Sequence, residues 1–457
     1  MARNIQSLML LFCTLVWGIS IIWSPESGKT GITHSSFNSI QVSSNCALDD
    51  LDQVDSNAMN KLVQQLASDT QVDVAACDQQ QLLCCQWGGA AMSLPMSEQQ
   101  TMGYQSARAL VEIGETSLPY LLEAAQRGST KARLRAIWAL GAMRADQSVA
   151  TLVSLLEKES TTEIAHQAAI ALGFVGHKDA TAPLIVQLRN APAELRAFSA
   201  WAMGEIEDPD AVDALIKALD DEDAEVRRQA AYALGEIEDP RAVKPLLAKL
   251  NDAAVEMRVQ VIWALGEIEH ASAVEGLAKA LTNDASIKVR KKAAWALGEI
   301  EDESAVTPLV SVLDSDDLEL KRMAIWALGE IESPDAVPGL VSVLQDEDTE
   351  IRKKAAWALG EIESRRAVDA LSNLLGSDAD MEVRRTAAWA LGEIEDRGAV
   401  PALIKGLQDD SAKVRSTSAW ALGEIGDSSA VEALADALED ESVEVRRQAV
   451  RALGEVQ

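Results

Sequence analysis

The stretch KKAAWALGEIED, residues 291–302, sets a Trp among alanines in the middle of a helical pattern and returns nearly unchanged about every 31 residues. Taken from its Gly, the copies fall at Gly141, Gly173, Gly204, Gly235, Gly266, Gly298, Gly329, Gly360, Gly392, Gly423 and Gly454, with a weaker one at Gly114. From Gly141 onward the spacing is 31 or 32 throughout. A fixed period of this size specifies a stacked array in which each unit contacts its neighbours. The expected architecture is all-α, a solenoid of stacked two-helix repeats over residues 101–457.

Residues 205–235 show how one unit is built. Asp208-Pro209 reads as an N-cap followed by Pro at the first helical position, and Val212, Leu215, Ile216 and Leu219 then recur at helical spacing. The acidic run DDED, 220–223, turns the chain into a second helix whose buried stripe is Val226, Ala230, Leu234 and Ile237. Those acids are expected to cap the second helix, since no EF-hand loop can be laid over them.

At about 100° per residue, the positions nine, five, two and one before the Gly and two after it fall within a sector of roughly 100° and form the core stripe. The position three before the Gly lies about 140° from the centre of that sector, so its side chain is expected to leave the packed layer. It holds Trp138, Trp201, Tyr232, Trp263, Trp295, Trp326, Trp357, Trp389 and Trp420. Two columns share that face at a spacing of four. Seven before the Gly stand Arg228, Lys291, Arg322, Lys353, Arg385 and Arg447. One after it stand Glu205, Glu236, Glu267, Glu299, Glu330, Glu361, Glu393 and Glu424. The expected surface is striped basic, aromatic and acidic.

Two readings of the Trp file are open. Either each ring lies flat, held by an Arg or Lys stem and the next repeat, or the file binds an extended ligand. The position nine after each Gly varies freely (Asp213, Lys244, Glu275, Thr307, Pro338, Asp369, Pro401, Glu432), whereas the Trp column hardly varies. The aromatic is therefore retained for a reason, packing or binding.

The segment VRRQAAYALGEIEDPRAVKPLLAKL, 226–250, resembles the short HEAT-like repeat named after phycobiliprotein lyases, and the resemblance extends over about 350 residues. It implies an α-solenoid, in a family that includes pigment lyases, adaptors and engineered binders. The ligand-facing positions of those binders are similar to the three columns above. The resemblance also implies an inter-repeat ladder between the Arg eight before the Gly (Arg227, Arg258, Arg290, Arg352, Arg384, Arg415, Arg446) and the Asp that caps the first helix (Asp208, Asp239, Asp302, Asp396, Asp427). The copy at 142–173 departs from the pattern, with Ala165 and Ile170 in place of Arg and Trp.

Enzymatic chemistry finds little support. The four His (His34, His166, His177, His270) include no His-Glu pair of a di-iron site, and HExxH, phosphate-loop and nucleophile-elbow motifs are missing. Seven near-identical carboxylate pairs in GEIE suit a repeated surface rather than a single acid–base site. No catalytic residue, metal or cofactor is expected.

Residues 1–24 carry Arg3 and an apolar run from Leu8 to Trp23, the length of a signal h-region or a short anchor. Export, with cleavage or with retention in the membrane, is the expectation, placing the repeats in a periplasmic or extracellular space. Residues 25–100 form a Ser/Gln-rich region, part linker and part capping helix (NAMNKLVQQLAS), that contains Cys46, Cys77, Cys84 and Cys85. In an exported chain these suggest two disulfides joining Cys84 and Cys85 to Cys46 and Cys77, with the pairing open.

A formal charge of −31 argues against nucleic acid and anionic membranes and favours basic or neutral protein partners. The expected function is a monomeric, non-enzymatic, exported or membrane-anchored scaffold that binds an extended polypeptide or protein on a Trp/Glu/Arg-striped concave face. The alternatives are a lyase-like protein handling a pigment or cofactor, or a structural spacer of the envelope.

Overall fold

The computed structural model describes residues 56–68, 101–159 and 163–456. The apolar run of residues 8–23 and Cys46, Cys77, Cys84 and Cys85 lie outside the described residues, and with them the expected export segment and disulfides. Among the described residues the regular structure is helical, and no helix is long and apolar enough to cross a membrane.

Each repeat runs through a one-turn 3-10 segment, a short first helix and a longer second helix. In the unit chosen above these are Pro209–Ala211, Val212–Ala218 and Ala224–Glu236. Side-chain caps set the boundaries. Asp208 Oδ1 accepts the N–H of Asp210 at 3.1 Å, and Asp223 Oδ1 accepts those of Glu225 and Val226 at 2.9 and 3.2 Å. The second helix ends on a Glu in the left-handed region, with φ 55° at Glu207 and 53° at Glu301.

Second helices pack against the second helices before and after them, and each also packs on the first helix of its own repeat. Four of the five expected core positions are buried in the unit of Gly298: Val289, Ala293, Ala296 and Leu297 are fully enclosed, whereas Ile300, like Ile237, is half-buried. Ala294, four before the Gly, is enclosed as well. Its burial follows from stacking on both sides, because a helix inside an array loses two flanks in addition to its core face. Small residues make that approach possible. A Cβ on Gly298 would lie 2.7 Å from Cζ3 of Trp326 and 3.0 Å from Cα of Ala327, so the two backbones meet there with no room for a side chain.

An inter-repeat ion-pair ladder is present, but its acid differs from the expected one. Arg258 reaches forward to Asp284 with Nε–Oδ2 2.8 Å and Nη2–Oδ1 2.9 Å, and its Nη1 donates to the carbonyl of Asp252 in its own turn at 2.8 Å. Arg352 with Asp378, Arg384 with Asp409 and Arg415 with Asp440 repeat the fork. The partner is therefore the acid that opens the turn between the two helices of the next repeat, not the Asp that caps its first helix. The capping Asp has other partners: Asp239 pairs with Arg241 beside it, and Asp396 and Asp427 pair with Arg365 and Arg397, which open the 3-10 segment of the preceding repeat. Where the turn carries Ser315 in place of Asp, Arg290 bonds the carbonyl of Leu281 at 2.9 Å.

The helix Ser56–Gln65 packs against Met102–Ile113 and Thr130–Ala142, with Met59 buried. Arg135 Nη1 donates to the carbonyls of Leu66 and Ser68 at 2.7 and 2.9 Å, fixing the end of this segment to the first units of the array.

Candidate interaction surface

The stripe left uncovered on the second helices is narrower than a one-sided core would leave, and this decides how the aromatic column sits. Trp263, Trp295, Trp326, Trp357, Trp389 and Trp420 are half-buried, and Trp201 is only 7% exposed. Each side chain leaves the core as its angle requires, but the ring then folds back along the stack and its Cζ3 edge rests on the motif Gly of the preceding repeat, as Trp295 does on Gly266. The remaining ring surface stays open. At position 232 a Tyr takes the same place, stacks on Trp263 with centroids 5.3 Å apart and 12° between planes, and donates its hydroxyl to Glu205 at 2.8 Å. The irregular unit has Ile170 here, which is buried.

The basic and acidic columns are not equivalent. Lys353 is held by Glu350 at 2.6 Å and Arg385 by Glu382 at 2.7 Å. Arg228 and Arg322 are paired in the same way with Glu225 and Glu319, and Lys291 reaches Asp317 at 3.3 Å. The basic stripe is neutralised by carboxylates on its own helix or the next. Among the described residues no ion pair includes Glu236, Glu267, Glu299, Glu330, Glu361 or Glu393, and of these Glu267 and Glu299 have Lys292 within electrostatic reach. Burial, and after it their like-charged neighbours, raise the protonation of all six. Glu236 and Glu299 are pushed up to about 7. The indole N–H groups of Trp263, Trp326, Trp357 and Trp389 lie near the Glu four residues on and oppose that rise. At Trp138, where Ala142 stands in the Glu position, the indole N–H finds no acceptor among the described residues.

A second acidic file, the other carboxylate of each GEIE pair, runs beside the first in a backbone conformation that the sequence pattern did not foretell. Glu207, Glu238, Glu269, Glu301, Glu332, Glu363 and Glu395 occupy the left-handed helix terminus with φ between 48° and 55°. Gly176 and Gly426 hold this place in two other units. A non-Gly residue there costs on the order of 1 kcal/mol, so seven repeats accept strain at a position where Gly removes it. The signal was available in GEIE, whose last residue immediately precedes the cap of the next helix. Glu301 and Glu332 both act on Glu330, which places the two files within electrostatic reach of each other.

One cation enters this face. Lys292 Nζ lies 3.2 Å from the ring centroid of Trp295. Burial lowers its pKa to about 8, while Glu267 and Glu299 hold it up. His166, which begins the basic column in the irregular unit, lies 3.8 Å from Glu194. Among the described residues no group of His, Cys, Asp and Glu is arranged to hold a metal ion.

The repeat geometry is matched by a family model. The model for HEAT repeats fits residues 118–190, 181–255, 243–319, 307–392 and 369–454. The chain belongs to the HEAT-repeat family. Solved structures similar to this HEAT-repeat chain include a crystal structure of an engineered protein, 25% identical, with a TM-score of 0.40 and coverage of 74% of this chain and 98% of that one. No curated protein matches. Within the HEAT array, the half-buried aromatic file and the two unneutralised carboxylate files lie on the second helices, repeated from one unit to the next.

Proposed function

We propose that this HEAT-repeat protein is a non-enzymatic scaffold that binds an extended polypeptide along the aromatic and acidic files of its second helices. One observation carries the reading: among the described residues no ion pair includes the acidic column, whereas the basic column eight residues earlier on each helix is paired with carboxylates. Carboxylates held together, partly desolvated and unpaired, destabilise the fold unless something binds them. A face kept in that state from unit to unit is suited to a long ligand that contacts every repeat. The basic or neutral partner follows from the same charge pattern.

The full chain and a Trp295→Ala, Trp326→Ala, Trp357→Ala variant, each immobilised and offered the proteins of its native compartment, test this. Partner capture should disappear in the variant, with its helical circular dichroism retained. Equal capture by both would end the proposal. We further propose that the repeats lie outside the cytoplasm, exported or tethered through residues 1–24. A reporter active only in the cytoplasm, fused after Gln457, should be silent, and activity would contradict it.

A further inference from the structure

Lys292 provides an internal example of what this face does with a cation. Its ammonium sits over the indole of Trp295, within electrostatic reach of Glu267 and of Glu299. The register that carries it, six before the Gly, holds Met323, Thr386 and Thr417 in the units of Trp326, Trp389 and Trp420. Those units repeat the indole and the flanking carboxylates without the ammonium. Lys354 shares the register, but its charge partners are Glu350, in the first turn of its own helix, and Glu319, in the first turn of the preceding repeat's second helix.

Spacing limits what can fill these places. Packed helices lie about 8 to 10 Å apart. An extended chain advances about 3.3 Å per residue, and a polyproline II helix about 3.1 Å with three residues per turn. Three residues of either span about 9 to 10 Å, so every third side chain of an extended ligand meets the next repeat. We propose that the ligand is a basic extended segment of a partner protein in which Lys or Arg recurs at every third residue, each cation seated over one indole as Lys292 is over Trp295. This rests on the binding reading above and specifies the chemistry of its partner.

Two fluorescent peptides of fifteen residues and identical composition provide the test, one with Lys at every third position and one with its five Lys contiguous. Measured by anisotropy against the full chain at about 0.15 M salt, the spaced peptide should bind about tenfold more tightly, since only it can seat several ammonium groups at once. Equal affinities would reduce the effect to net charge and overturn the proposal, as would failure of both to bind. In a second arm, Met323→Lys with Thr417→Lys supplies internal ammonium groups at two half-buried positions of this register and should weaken the spaced peptide about tenfold. Thr307→Lys with Ser311→Lys, exposed positions on a first helix and at its C-cap, adds the same charge and should change affinity less than twofold. Equal weakening by the two pairs would also overturn it. Partner capture that depends on the Trp file, together with indifference to Lys spacing, would sink this inference and leave the scaffold reading intact.

Discussion

Removing three of the unpaired carboxylates should make the protein more stable. In a Glu299→Gln, Glu330→Gln, Glu361→Gln variant each amide keeps the shape of the side chain, while the like charges that face it lose their repulsion. Burial, and after it Glu267, Glu269 and Glu330 against the opposing Lys292, displace the protonation of Glu299 from 4.5 to about 7. For a fully desolvated group that displacement is worth about 3 kcal/mol. Glu299 is only half-buried, and solvent screening leaves about 1 kcal/mol. Glu330 and Glu361 are raised in the same direction, so a total gain of about 1 to 2 kcal/mol is expected. The pH dependence fixes the sign. A carboxyl whose folded pKa is raised adds no penalty below its unfolded value, and the penalty is complete once pH exceeds the folded one. The gain should therefore be full at pH 8 and nearly absent at pH 4.5. The Asp residues of the inter-repeat ladder are held below their usual range and stay ionised over that window. Thermal and urea unfolding followed by circular dichroism at the two pH values would measure it. A loss of stability, or a gain independent of pH, would refute the assignment of repulsion to this file.

Three other perturbations probe the array itself. Trp295→Ala should cost about 2 kcal/mol by urea unfolding, between the 0.5 kcal/mol or less of an exposed site and the 3 to 5 kcal/mol of a buried aromatic, because part of the ring covers Gly266. Arg258→Met and Asp284→Asn should each cost about 1 to 3 kcal/mol, and the double variant should cost less than their sum, since a half-buried charge left alone is worse than none. Deleting residues 330–360, one whole repeat, should leave a helical protein with a slightly lower midpoint, whereas deleting 15 residues should abolish cooperative unfolding, as expected for units coupled through their neighbours.

The period, the two-helix unit and the buried positions Val289, Ala293, Ala296 and Leu297 could be read from the pattern alone, because helical angle decides which side chains face a core. The Trp column illustrates where angle stops being sufficient. It places the Cβ outside the core but leaves open where a two-ring side chain comes to rest, and neighbouring helices on both flanks draw it back over Gly. Neutralisation of the basic column was legible in Glu225 with Arg228, Glu319 with Arg322, Glu350 with Lys353 and Glu382 with Arg385, all at a spacing of three. The ladder partners Asp284, Asp378, Asp409 and Asp440 were not, since which acid an Arg reaches depends on the rise from one repeat to the next. Nor was the left-handed Glu file, whose residue type usually avoids that conformation.

The most direct test of the binding face is site-specific photo-crosslinking in the native cell. A photoreactive residue would be placed at Met323, beside the indole of Trp326, or at Thr307 on a first helix away from the files. Ligand engagement along the second helices predicts polypeptide adducts from position 323, mapped to one extended segment of the partner, and none from position 307. Adducts of equal yield from both positions, or from 307 alone, would contradict it.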